Sequence, residues 1–279
     1  MKHALIRFLV YCQIDRLFRF INRNAVLVVM YHGVCRRDYF PPVWTQLPEE
    51  KFVRQIKFLK ENYNILTMKE FITCLTEDRE FPERSALITF DDGLRNNYSV
   101  AFPILSEYRV PATIFLTIDF IGTDRILWFD ELFLLLRKAL TDGIDCRDMD
   151  EVFQILESNK NVSEIYYLIV EKMKRFTEGK RCHLMSALRS RVNIENSDFI
   201  EDFGLLTWEQ VREMRETNLI DFGVHTANHR ILTNLKQGEW NSEIIEPKKK
   251  LSDFLVEDVV TFCYPNGRPE IDFDYTHEN

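Results

Sequence analysis

The sequence predicts an α/β fold: a parallel sheet or barrel of βα units, interrupted once by a helical insertion. Three observations carry that reading. Short apolar runs recur where buried strands belong, at 25–34, 85–90, 111–117, 219–224 and 259–265. Segments with apolar residues at helical spacing alternate with them. From about Trp128 to Asn196 the alternation stops, and no strand candidate of comparable quality occurs there.

Taken in order, the chain opens on MKHALIRFLVYCQIDRLFRFINRN, residues 1–24, an amphipathic helix. Leu5, Phe8, Leu9, Ile14, Leu17, Phe18 and Ile21 keep roughly helical spacing, with Lys2, Arg7, Arg16, Arg19 and Arg23 between them. Two readings stand: the helix packs on the domain, or residues 1–22 lie on an anionic membrane surface. Arg7 breaks the apolar run and no small-residue cleavage site follows, so the segment does not read as a signal peptide. No run nears the ~18 apolar residues of a spanning helix. The expected location is therefore cytoplasmic, or peripheral at the inner face of the membrane.

A domain over 25–279 follows. AVLVVMYHGV (25–34) reads as a buried strand ending in a turn, and PEEKFVRQIKFLKENY (48–63) as a helix with Phe52, Ile56, Phe58 and Leu59 on one face. A short strand at Ile65 leads to a helix capped by Thr67, with Glu70 three places on. SALITF (85–90) is a buried strand, NNYSVAFPILSEY (96–108) a helix made irregular by Pro103, and PATIFLT (111–117) another buried strand. The helical insertion covers about 125–203. The βα rhythm then resumes with a helix at 206–217 capped by Thr207, a strand at 219–224, a helix at 239–255 and a strand at 259–265.

Hydrophobic residues make up 46% of the 279, enough to bury a sizeable core. A net charge of -8 gives no electrostatic case for nucleic acid as a partner. The six cysteines, at 12, 35, 74, 146, 182 and 263, form no C-x-x-C pair and read as unpaired thiols in a reducing compartment.

Three predicted strands end in polar clusters: Asp91-Asp92-Gly93, His225-Thr226-Ala227-Asn228-His229, and Tyr264-Pro265-Asn266-Gly267. In parallel α/β folds the ligand site lies beyond the carboxyl ends of the strands. Alone, each cluster has a plain structural reading, as a polar turn or as self-satisfied histidines. Together they describe a site. His225 and His229 are spaced i, i+4, so on a helical turn their imidazoles share a face. Two imidazoles and one carboxylate leave coordination positions open, a pattern suited to catalytic zinc or to non-haem iron. A second carboxylate beside such a cation can take a proton from water, whose pKa zinc lowers to roughly 7.

TFDDG, HTANH and YPNG resemble the signature segments of the polysaccharide deacetylase family, the chitooligosaccharide deacetylase homology domain of carbohydrate esterase family four. VVMYHGV and LTWEQVREM also resemble segments of bacterial members. The resemblance covers 25–120 and 204–279. It implies a distorted (β/α) barrel of about seven strands and a divalent metal, most often Zn2+. Asp92, His225 and His229 would be its ligands, and Asp91 the general base. Tyr264, Pro265 and Asn266 would line the site, with a backbone N–H of that loop holding the oxyanion. Thr226 would brace the histidine loop. His32 reads either as a turn histidine at the barrel rim or as a substrate contact.

Two departures qualify the resemblance. Many members carry Arg-x-Pro-Tyr at the third segment, the arginine orienting the base; here that place reads Cys263-Tyr264-Pro265-Asn266, with Arg268 close behind. The family also continues to a Leu-x-His segment bearing an acid histidine, whereas this chain ends FDYTHEN and His277 comes too soon. The barrel is thus expected to be incomplete at its C-terminal end. The expected function is metal-dependent removal of N-acetyl groups from a sugar in a polysaccharide or lipid-linked glycan. An amidohydrolase acting on a small non-sugar amide and a non-catalytic glycan-binding homologue are the alternatives.

Overall fold

The computed structural model describes residues 14–40, 42–157, 162–194, 199–268 and 271–272. The first half of the N-terminal amphipathic segment and His277 lie outside these. A helix over Ile14–Ile21 (α1) precedes β1 (Leu27–Tyr31). Then come β2 (Gly33–Cys35), β3 (Gln46–Pro48), α2 (Glu49–Asn62), β4 (Asn64–Ile65), α3 (Met68–Thr76) and β5 (Ser85–Phe90). After α4 (Phe102–Tyr108) and β6 (Ala112–Leu116) the chain is helical, with α5 (Trp128–Asp142), α6 (Val162–Met173), α7 (Glu178–Arg191) and α8 (Ile200–Phe203). It closes with α9 (Trp208–Glu216), β7 (Ile220–Val224) and α10 (Glu246–Leu255).

The main sheet is parallel throughout, in the order β1-β5-β6-β7, with β4 also paired to β5. β5 and β6 are buried along their whole lengths, as strands covered on both faces must be. Beyond β7 the neighbour is the segment around Phe262, joined by one parallel bridge to Val224. The expected strand at 259–265 is thus reduced to a single bridge. Among the described residues nothing pairs with its far side, so no ladder builds there. The sheet is an arc of a barrel rather than a closed ring: no described strand links β1 to the 259–263 segment.

Local signals act where physical chemistry places them. Thr67 caps α3 and Glu70 reaches back to the Thr67 amide at 2.8 Å; Thr207 and Gln210 do the same for α9. The two helices that carry an internal proline begin later than their periodicity implies. Each is preceded by a wide π-helical turn, Asn97–Ala101 before Pro103 and Asn241–Ile245 before Pro247. A proline ring crowds the carbonyl four residues earlier, and the wider turn relieves that contact.

One continuous core joins the sheet to the insertion. Phe133 of α5 is 1% exposed and meets Tyr39, Tyr166 and Phe203 in edge or tilted ring contacts. The insertion is therefore packed onto the rim of the sheet where the strands end.

Candidate metal centre and catalytic cavity

β5 delivers two adjacent aspartates. Asp91 continues the strand, its amide donating to the Tyr31 carbonyl of β1 at 2.9 Å. Asp92 then turns away at φ +72° and Gly93 at φ +80°. Glycine is required at 93, where a Cβ would lie 2.6 Å from Leu116 Cδ2. The Thr117 amide donates to the Asp92 carbonyl at 3.1 Å, tying this turn to the end of β6.

β7 delivers the histidines. The His225 amide donates to the Leu116 carbonyl at 2.9 Å, and the Ile118 and Asp119 amides donate to the carbonyls of Thr226 and Ala227. The turn is held from outside by Glu243, 4% exposed, whose carboxylate accepts from the Asn228 amide at 3.0 Å. Thr226 (φ +61°), His229 (φ +56°) and, across the site, Asn266 (φ +68°) share the left-handed backbone of Asp92. Non-glycine residues adopt it at a cost of order 1 kcal/mol or more, so four strained residues meet in one place.

The result is a compact donor set. One ligand atom each from Asp92, His225 and His229 lies within 4.8 Å of the others. The Nε2 atoms of His229 and His225 are 3.2 and 3.5 Å from Asp92 Oδ1. Asp92 is fully buried, and neither carboxylate oxygen has a hydrogen-bond partner. A buried carboxylate left so would be costly, and a cation beside it removes that cost. The donors fit a divalent cation, with positions left open. Cys263 assists through its main chain: its carbonyl lies 2.9 Å from His225 Nδ1, which points Nε2 at the site.

Charge separates the two aspartates. Burial would raise Asp92, but the nearby His229 above all, with the charges of His32 and His225, outweighs it and holds the carboxyl below the usual range. Asp91 is pushed up to about 7, by burial first and then by the charge of Asp92. Burial lowers His225 to about 3, so its imidazole is neutral and free to donate a lone pair.

A cavity of about 900 Å³ opens beside this set, and Asp91, His225, His229, Cys263, Tyr264 and Asn266 all reach its wall. Pro265 is buried behind the turn. Thr226 is buried too; it braces the loop through its carbonyl, while its Oγ1 has no partner among the described residues. His32 lines the same cavity. Burial lowers its pKa, while the charge of Asp92 acts the other way.

Several participants left no recognisable motif. The ring of Trp44 stands edge-on to His32 at 4.9 Å, and Phe129 of the insertion stands edge-on to His229 at 5.0 Å. Trp44 Nε1 donates to Tyr166 Oη, which donates to the Phe129 carbonyl. Glu243 sits in an ordinary amphipathic stretch. Their neighbours in the chain are unremarkable; only the tertiary contacts reveal them. Arg268 pairs with Asp272 at 2.9 Å and Glu171 at 3.0 Å, and the side chain that contacts Asp91 is the Cys263 thiol, at 3.5 Å.

The polysaccharide deacetylase family matches residues 78–277. A poly-β-1,6-N-acetyl-D-glucosamine N-deacetylase of Staphylococcus epidermidis is 26% identical over 223 residues, 72% of each chain. One of the same name from Staphylococcus aureus is 36% identical over 133 residues, 43% of this chain and 44% of that protein. YxkH of Bacillus subtilis is 38% identical over 96 residues, and the chain spans 33% of its length. Among solved structures, the Streptococcus pyogenes deacetylase PplD in complex with acetate superposes with a TM-score of 0.54 at 18% identity, over 88% of this chain and 76% of that one. IcaB from Ammonifex degensii gives 0.54 at 18%, over 89% and 77%. At these identities the structural likeness shows a shared fold.

Proposed function

The chain belongs to the polysaccharide deacetylase family, and from that premise we propose that it is a metal-dependent hydrolase that removes N-acetyl groups from an N-acetylglucosamine-containing glycan. The observation that carries this is the buried, unpartnered Asp92 carboxylate facing two imidazoles, with a second carboxylate of raised pKa next to it. The substrate class rests on the relatives named as poly-β-1,6-N-acetyl-D-glucosamine N-deacetylases.

Asp92, His225 and His229 would hold the cation, with zinc our choice from the donor set. When bound, it polarises the amide carbonyl as a Lewis acid. Asp91 takes the proton of the attacking water as general base. The turn at Tyr264–Asn266 offers main-chain N–H groups to the carbonyl oxygen as it gains charge; Pro265 has none. His32 lines the same cavity as that turn and contacts the substrate there.

We also propose that residues 1–22 touch an anionic membrane surface and hold the enzyme at its inner face. Support comes from Leu17, Phe18, Phe20 and Ile21 of α1, each more than half exposed. No helix among the described residues is long and apolar enough to cross a membrane. Deleting 1–22 and measuring vesicle partition and cell fractionation tests this; unchanged partition rejects it.

The catalytic reading is tested by zinc titration in a calorimeter, followed by acetate release from N-acetylglucosamine oligomers. Stoichiometric binding and zinc-dependent acetate release are expected. Binding without release would leave a glycan-binding homologue.

A further inference from the structure

Cys263 faces the reaction from an unusual position. Its Sγ lies 3.5 Å from Asp91 Oδ1, across 172 residues of chain, with the thiol as donor. The alternative acceptor, the Tyr264 carbonyl, is more distant at 4.0 Å. Asp91 is 6% exposed. Among the described residues no arginine or lysine pairs with it, and the groups that act on it are Asp92, Cys263 and His229. The main chain of the same residue serves the other half of the site, since the Cys263 carbonyl fixes His225. The Cys263 amide is itself anchored to the Val224 carbonyl at 2.9 Å, so the thiol is delivered from a fixed backbone.

We propose that Cys263 is a positioning residue for the proposed reaction: its thiol proton orients the Asp91 carboxylate toward the water that Asp91 deprotonates. A thiol is a weak donor, but a buried carboxylate whose side-chain donor among the described residues is this thiol depends on it for its rotamer. Small misplacement of a reacting group is costly in rate. The division of labour within one residue makes a sharp expectation: removing the side chain disturbs the base and spares the metal ligands.

The proposal rests on Asp91 being the base, and two readouts keep the ideas separable. In the zinc-loaded enzyme, Cys263→Ala should lower kcat for acetate release about tenfold, with KM and zinc affinity unchanged. Cys263→Ser should recover most of that loss, because a hydroxyl offers a proton from the same place. A kcat for Cys263→Ala within twofold of the parent, or Cys263→Ser falling as far as Cys263→Ala, overturns the proposal. Crystal structures of zinc-loaded parent and Cys263→Ala chains give the second readout, which needs no turnover. The Asp91 carboxylate should rotate or split into two conformers in the variant; one retained rotamer overturns the proposal even where the parent chain releases no acetate.

Discussion

The amide of Asp91 donates to the carbonyl of Tyr31 at 2.9 Å, one step beyond the register pair Tyr31 and Phe90. The parallel pairing of β1 with β5 therefore brings His32 and Asp91 out of the sheet side by side, into one cavity. A carboxylate and an imidazole are thus set by register at the ends of neighbouring strands. As a substrate contact, His32→Ala should then lower kcat/KM about tenfold, with zinc affinity little changed. Steady-state acetate release and calorimetry check both halves. Loss of zinc together with activity would make His32 part of the metal centre instead.

The two adjacent aspartates should separate by function. Asp91→Asn should reduce turnover by about 10²–10⁴-fold and leave zinc bound, whereas Asp92→Ala and His225→Ala should lose the metal as well. Zinc content after dialysis distinguishes them. If Asp91→Asn strips zinc and Asp92→Asn does not, the assignments are reversed.

The pH profile follows from Asp91. Its pKa is raised to about 7, and its working form is the carboxylate. Below that value each unit of acidification protonates it further, so kcat/KM should fall about tenfold per unit and level off above neutrality. A cation on Asp92 opposes the second cause of the shift and moves the midpoint downward. A flat profile from pH 5 to 8 would contradict this.

How much of this was legible in the chain depends on the range of the interaction. Capping at Thr67 and Thr207 is local, and residues three apart announce it. The clusters at 91–93, 225–229 and 264–267 were legible because strand ends point the same way in a parallel sheet, so separate motifs imply one place. The neighbourhood of His32 was not, since it depends on the register of β1 against β5. Nor was the contact of Cys263 with Asp91, or the edge-on contact of Phe129 with His229, because neither partner constrains the other's local sequence. The wide turns before Pro103 and Pro247 were half legible: the prolines mark the irregularity but not how the helix absorbs it.

Metal removal should register as lost stability. Since the cation binds the folded donor set, free zinc at a thousandfold over Kd adds about 4 kcal/mol. A chelator should lower Tm in the parent chain and leave that of Asp92→Ala unmoved. Equal Tm values with and without chelator in the parent would count against a bound cation.

Phe133 tests the join between insertion and barrel. Phe133→Ala should cost about 3–5 kcal/mol in urea unfolding, as expected for deleting a fully enclosed aromatic ring. A cost below 1 kcal/mol would mean the insertion contributes little to the folded core.

The left-handed backbone at Asp92, Thr226, His229 and Asn266 has a consequence for anyone wishing to toughen this protein. At Thr226 and Asn266, the two of these four that are not ligands, glycine would ease the chain and raise its resistance to heat. The same relaxation would let the ligating groups wander, so hardiness and cation capture should trade against each other along a single axis.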